Sequence, residues 1–267
     1  MKYGDVCVAV ATHKQYRMPN DSIYLPVQVG KELHKDVDLG FTGDDTGDSI
    51  SNLNAWYSEL TALYWIWKNV DSRYKGLVHY RRHFATKHKG LLLSRDRFDY
   101  IIGGDEVRAL LKQSDILLPK KRRYYIETMY SHYAHTLPSE QLDETRRILE
   151  MHAPEYVSAF DSVMHRRGAH MFNMFIMSRE KLDEYCSFLF PILDALVDRI
   201  DPDKYGSAFQ ARYPGRVSEL LLDVWLLTKN YSYIEVPTIS PEPVNWAKKG
   251  GSFLLAKMGL KKYGKSF

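Results

Sequence analysis

Gly76-Leu77-Val78-His79-Tyr80-Arg81-Arg82-His83-Phe84 passes from apolar to cationic within a few residues. Gly76 to Val78 reads as a short buried strand. In an α/β sheet such strands are covered on both faces, and ligands bind beyond their carboxyl ends. His79, Arg81 and Arg82 therefore sit where desolvation is costly unless an anion meets them. A phosphate suits them best, because the guanidinium fork matches phosphate oxygens in geometry as well as in charge. The alternative is an internal ion-pair cluster with nearby carboxylates.

The flanking segments supply the rest of an α/β pattern. Val6-Cys7-Val8-Ala9-Val10-Ala11 is a continuous β-prone run that ends at Thr12-His13-Lys14, a second polar group at a strand end. Residues 36–54, rich in Gly, Asp, Asn and Ser, read as an acidic loop. The spacing of Leu53, Trp56, Leu60, Leu63, Tyr64 and Trp67 predicts one helix over 54–69, with Asn52 or Asn54 as its N-cap. Further strands are expected at 115–119, ending in Lys120-Lys121-Arg122-Arg123, at 171–177 with Asn173 inside it, and at 233–237. Residues 126–152 and 179–200 read as helical, and Arg216-Val217-Ser218-Glu219 as the opening of another helix. Strand and helix alternate throughout, so a single mostly parallel or mixed sheet flanked by helices is expected.

The 267 residues suffice for one large α/β domain. A net charge of +4 is too small to argue for nucleic acid, which is not expected as a partner. Aromatic residues make up 13% of the chain, with 19 tyrosines, a composition suited to sugars and bases as well as to core edges. Cys7 and Cys186 read as buried reduced thiols. The first residues lack the apolar run of a signal peptide, and no stretch approaches a membrane span, so a cytoplasmic setting is expected. Residues 241–267 form a separate basic tail, in which lysines alternate with apolar residues and no acidic residue follows 245. The tail fits either an amphipathic segment on an anionic membrane surface, at the inner face of the plasma membrane, or a helix docked on the domain.

Thr12-His13-Lys14, His79-Tyr80-Arg81-Arg82, Lys120-Lys121 and Asn173 together suggest a cleft for a phosphate-bearing ligand. No GxxxxGK[ST], GxGxxG or Gly-x-Ser-x-Gly motif accompanies them, which argues against a P-loop kinase, a dinucleotide dehydrogenase and an α/β-hydrolase. His132-x-x-His135 and His79-x-x-x-His83 lack companion ligands at a telling spacing for zinc. A nucleotide-sugar transferase fits: it needs a clamp for the departing diphosphate and, when the anomeric centre inverts, a carboxylate base. Many single-sheet enzymes of this kind hold Mn or Mg with Asp-x-Asp at the strand end occupied here by His79-Tyr80-Arg81. Metal independence is therefore expected, with Asp44, Asp45 and Asp48 as ligands if a metal is required. A non-catalytic module that binds a nucleotide or an anionic glycan in the same cleft is the main alternative, and a nucleotidyltransferase a weaker one.

The chain resembles bacterial capsular and exopolysaccharide glycosyltransferases long catalogued as a domain of unknown function. The resemblance rests on Ala11-Thr12-His13-Lys14, Gly43-Asp44-Asp45-Thr46-Gly47-Asp48-Ser49-Ile50-Ser51, residues 57–69, the His79-Tyr80-Arg81-Arg82 block, Asn173-Met174-Phe175-Ile176-Met177 and Arg216-Val217-Ser218-Glu219. Ser49 and Leu53 stand where more polar residues are expected. The resemblance implies a GT-A-like domain over residues 1–240 and a nucleotide-sugar donor, UDP-linked, with galactofuranose as the first candidate sugar. It implies a glycan or lipid-linked oligosaccharide acceptor in capsule, exopolysaccharide or O-antigen synthesis. On this reading Thr12, His13, Lys14, Arg81, Arg82, Asp45 and Asn173 bind the donor. Glu59, Tyr80 and Arg216 contact sugar or acceptor, Glu219 is the base of an inverting transfer, and His79, the second catalytic residue, orients the two arginines or contacts the sugar.

Overall fold

A computed structural model describes residues 3–87 and 94–242. Of the basic tail expected over 241–267, all but Pro241 and Glu242 lies outside the described residues. The strands are β1 (Val6–Thr12), β2 (Tyr24–Gln28), β3 (Thr42–Gly43), β4 (Tyr74–His79), β5 (His83–Phe84), β6 (Ile116–Pro119), β7 (Arg122–Arg123), β8 (Gly168–Ala169), β9 (Phe175–Ser178), β10 (Ile234–Val236) and β11 (Thr238–Ile239). The helices are α1 (Asn54–Tyr57), α2 (Leu60–Asn69), α3 (Gly104–Leu111), α4 (Met129–Ala134), α5 (Glu140–His152), α6 (Val157–His165), α7 (Arg179–Arg199), α8 (Ala208–Ala211) and α9 (Tyr213–Lys229).

Seven strands form the central sheet in the order β10-β6-β9-β4-β1-β2-β3. All neighbours are parallel except β9, which runs antiparallel to both β4 and β6. The period-two alternation of a strand sends successive side chains of β1 to opposite faces. Cys7, Ala9 and Ala11 join the larger core, which α2, α5, α6, α7 and α9 cover. Val6, Val8 and Val10 join a smaller core on the other face, with Val107, Leu110 and Leu111 of α3. Gly76 is required by close approach, because a Cβ there would meet the Phe175 carbonyl oxygen of β9 at 2.6 Å. Cys7 and Cys186 are buried free thiols, and burial pushes the Cys7 thiol up to about 12.

Three local expectations need correction. The helix expected over 54–69 breaks at Ser58, whose φ is +52°. Asn54 is the first residue of α1 rather than a cap, and its side-chain amide donates to the Ser58 carbonyl (2.7 Å) and to Thr61 Oγ1 (3.0 Å). That amide stabilises the bend, which hydrophobic spacing cannot register. The strand expected over 171–177 begins only at Phe175, because Phe172 and Asn173 both adopt positive φ, at 84° and 49°. The helix around Glu219 also starts three residues before Arg216, at Tyr213, with Pro214 in its first turn.

Asp44, in the acidic loop, is fully buried. Its carboxylate accepts from the backbone N–H groups of Gly30 (3.0 Å) and Lys31 (3.1 Å) and from the hydroxyls of Ser51 and Thr61 (2.5 Å each). It pins the turn after β2 to the start of α2. Asp44→Ala is expected to cost about 3 kcal/mol of stability by leaving buried donors unpaired, read as a lowered urea midpoint. An unchanged midpoint would show that water replaces the carboxylate there.

Candidate active site

The site begins with a two-residue turn. His79 and Arg82 exchange backbone hydrogen bonds, N–H to carbonyl in both directions (3.2 and 2.9 Å), and Tyr80 N–H donates to Ala11 O of β1 at 3.2 Å. Residues so paired across a turn project to the same side. His79 and Arg82 therefore share one side, and Tyr80 and Arg81 form the tip. The turn lies at the carboxyl ends of β1 and β4, the binding edge of a parallel sheet.

On the His79 side everything converges on the Phe172 peptide. His79 Nε2 lies 2.5 Å from the Phe172 carbonyl oxygen. A carbonyl can only accept, so Nε2 carries the hydrogen and Nδ1 presents a lone pair. The Phe172 N–H donates to Glu219, and the Phe172 ring carries the Arg82 guanidinium at 3.5 Å. A positive φ in phenylalanine costs on the order of 1–3 kcal/mol and persists only where surrounding contacts over-determine it. Here histidine, glutamate and arginine hold that one residue.

Glu219 lies in the second turn of α9 and is 4% exposed. Burial raises its carboxyl above the ordinary value of 4.5, and the charge of Glu59 raises it further. Arg216, the Phe172 N–H and Arg82 act in the opposite direction, with Arg216 Nη1 at 3.4 Å from Glu219 Oε1. Glu59 reaches this centre because the chain bends at Ser58, and its Oε1 accepts from Asn173 Nδ2 at 2.7 Å. Asn173 Nδ2 also donates to Gly215 O at 2.9 Å, while its Oδ1 accepts from Ser218 Oγ at 2.9 Å. The carboxamide of Asn173 is thus engaged in fastening Glu59 to α9. Burial lowers His79, reinforced by Arg82 and Arg216 and opposed by Glu59 and the Phe172 carbonyl. Burial likewise brings Arg82 down to about 10, leaving it charged at neutral pH. Arg122 completes the wall, with its guanidinium 5.1 Å from the Tyr124 ring and 6.0 Å from Phe172.

On the tip side, Tyr80 is buried against His13 (5.4 Å between ring centroids) and Tyr16 (5.1 Å). Lys14 Nζ lies 5.3 Å and the Arg81 guanidinium 5.3 Å from the Tyr80 ring. Burial lowers His13, and the nearby cations Arg212, Lys14 and Arg81 add to the effect. Thr12 is buried, and its hydroxyl donates to Lys14 O at 2.7 Å, which shapes the loop that presents His13 and Lys14.

The structure thus gathers His79, Arg82, Glu59, Arg216, Glu219 and Asn173 into one centre. Thr12, His13, Lys14, Tyr80 and Arg81 form an adjoining one. Asp44, Asp45 and Asp48 belong to neither. They follow β3, two strands from β1 and three from β4, or roughly 10 and 14 Å at ordinary strand spacing. Asp44 is already saturated by its four donors, and Asp48 accepts from the Tyr64 hydroxyl at 3.1 Å. Among the described residues no group of three or more His, Cys, Asp or Glu side chains could hold a metal ion. His132 and His135 instead share Glu127, each through Nδ1 at 2.8 Å. Sequence reasoning missed Phe172, Arg122, Tyr124 and Tyr16. Asn173, a residue prone to positive φ, was the available hint of the turn that contains Phe172.

A solved structure described as the apo form of the bifunctional glycosyltransferase WbbM matches this chain with a TM-score of 0.82 at 28% sequence identity. The match covers 88% of this chain but 45% of that protein, so the chain spans less than half the length of its structural relative. The expected GT-A-like fold is the one observed. No curated protein matches the chain significantly. Residues 7–230, from the first strand through the end of α9, match the family model described as "Domain of unknown function (DUF4422)", and the chain belongs to that family.

Proposed function

We propose that the protein is a glycosyltransferase that moves a sugar from a nucleoside diphosphate donor to a glycan acceptor with inversion. The observation that carries the reading is Glu219, a buried carboxylate held against arginines at the carboxyl edge of the sheet. The fold it shares with a glycosyltransferase supports it. In the proposed reaction Glu219 takes the proton from an acceptor hydroxyl as that oxygen bonds to the anomeric carbon. The bond from that carbon to the donor phosphate oxygen breaks, and its electron pair leaves with the nucleoside diphosphate. Arg82 meets the negative charge that grows on the leaving group, and Arg81 helps to hold the donor diphosphate. His13, Lys14 and the Tyr16–Tyr80 aromatic pair line the nucleotide end. Arg216 keeps Glu219 ionised and contacts the acceptor, Glu59 holds a sugar hydroxyl, and neutral His79 positions Phe172.

The donor proposed is UDP-linked, with galactofuranose as the first sugar to test. The acceptor proposed is a lipid-linked oligosaccharide in capsule, exopolysaccharide or O-antigen synthesis, with the enzyme peripheral at the inner membrane face. A thermal-shift screen across nucleotide sugars tests the donor. At a hundredfold excess over Kd, the right one should stabilise the protein by about 2.7 kcal/mol. A donor that binds without hydrolysis or transfer to any acceptor would favour the non-catalytic binding module.

The residues at the β4 end do not fit Mn or Mg, because His79, Arg81 and Arg82 stand where a metal-holding carboxylate pair would be needed. We propose that guanidinium groups carry the electrostatic role. Transfer is expected to continue at its full rate in excess EDTA. Loss of activity that manganese restores would overturn this and direct attention to Asp45 and Asp48.

A further inference from the structure

Beyond the active centre, the β7–β8 ribbon combines two features that the transfer reaction does not use. At the end of the ribbon, where the chain leaves β7 for α4, Tyr125 and Ile126 form a tip and are each 76% exposed, more than any other large apolar side chain among the described residues. Tyr125 has a φ of +53°, so the chain turns sharply at the tip. The tip is tied down: Tyr124 N–H donates to Arg167 O at 2.9 Å, and Arg167 Nη1 donates to Tyr125 O at 3.1 Å. These exposed side chains therefore belong to a braced turn.

Beside the tip lies a cavity of about 560 Å³ lined by Lys121, Arg123, Arg166 and Arg167, with Asp223 in its wall. The Asp223 carboxylate is already held by the backbone N–H and Nδ1 of buried His170, both at 2.7 Å. Among the described residues none of the four cations forms an ion pair with a carboxylate. Neighbouring residues of a strand face opposite sides. Arg122 accordingly turns to Phe172 and the active centre, whereas Arg123 lines this cavity.

We infer that this ribbon docks the protein on an anionic bilayer. Tyr125 and Ile126 enter the headgroup boundary, and lipid phosphates occupy the cationic cavity. A soluble anion would account for the four cations but would leave the apolar tip in water. A bilayer interface satisfies both, since it offers negative surface potential and an apolar layer a few ångströms apart. The inference deepens the reading above, in which the acceptor is lipid-linked, because the ribbon borders the active centre through Arg122 and Tyr124. It assigns the docking to the folded domain rather than to residues 245–267.

Flotation of the full-length chain with phosphatidylcholine vesicles, with and without phosphatidylglycerol, tests it. Wild-type protein should float with the anionic vesicles alone. Arg123→Ser/Arg166→Ser should weaken partitioning by about 30-fold, at ~1 kcal/mol per charge. Tyr125→Ser/Ile126→Ser should weaken it by about tenfold or more through lost apolar burial. Both variants should keep the wild-type melting temperature and turnover of a water-soluble acceptor. Undiminished flotation in the ribbon variants, or flotation abolished solely by deleting residues 245–267, would overturn the inference. So would saturation of the cavity by inorganic phosphate in a protein that ignores vesicles. Normal flotation without transfer to any acceptor would instead count against the glycosyltransferase reading and leave the docking surface standing.

Discussion

Glu219→Gln is expected to bind donor normally and to lose transfer by about a thousandfold or more, within the range that a positioned general base contributes. Glutamine keeps the shape and can still accept from the Phe172 N–H, but it cannot take a proton. The loss should therefore fall on kcat with donor affinity preserved. The pH profile separates this role from a structural one. Glu219 must be ionised to act, and burial raises its carboxyl above 4.5, so activity should rise with pH along a limb displaced upward from ordinary glutamate. The limb should vanish in the residual activity of Glu219→Gln. Stability supplies a second sign. A raised folded-state value means that the folded protein keeps a proton the unfolded chain has released. That stabilisation is complete below 4.5 and disappears as pH rises through the raised value. The melting temperature of wild type should accordingly decline relative to Glu219→Gln across this window. Near-wild-type kcat in the glutamine variant would remove Glu219 as the base.

The sheet was legible in the sequence where strands are buried on both faces. Val6–Ala11 and Gly76–Val78 are continuous apolar runs, and both end at the polar groups that the structure brings together. Less was legible where side chains override local preference. Tyr24–Gln28 carries a proline and pairs parallel to β1 on the side away from β4, a position that nothing in its composition announces. The acidic block at 44–48 suggested metal ligands, yet Asp44 is consumed by turn donors that lie up to 17 positions away in the chain. Most of the candidate centre was visible as residue types: two carboxylates, a histidine and arginines. Its geometry was not, because it depends on two breaks at Ser58 and at Phe172–Asn173. Positive φ at serine, phenylalanine and asparagine leaves no periodic trace, and side-chain contacts hold those turns: the Asn54 amide at Ser58, and His79, Arg82 and Glu219 at Phe172.

The same geometry separates the two adjacent arginines, which as sequence were equivalent. Arg82 stacks on Phe172 and faces Glu219, with Arg122 and Arg216 near, whereas Arg81 is exposed at the tip of the turn over Tyr80. Arg82→Ala is expected to cost roughly a hundredfold to a thousandfold in kcat, the scale of removing one preorganised donor to a developing anion. It should also shift the acid limb of the pH profile upward, because Arg82 is one of the charges holding the Glu219 carboxyl down. Arg81→Ala should act mainly on donor KM, by about tenfold, as an exposed cation contributes to binding in ground and transition state alike. Arg82→Lys discriminates further. It restores the charge but not the planar fork that stacks on the ring and pairs with phosphate oxygens, so the acid limb should return while much of the rate does not. Circular dichroism and melting curves would show whether Arg82→Ala remains folded. If it does and kcat stays at the wild-type level, the leaving diphosphate is not stabilised at the Phe172 wall, and the tip cluster of Arg81, Lys14 and His13 must carry that charge alone.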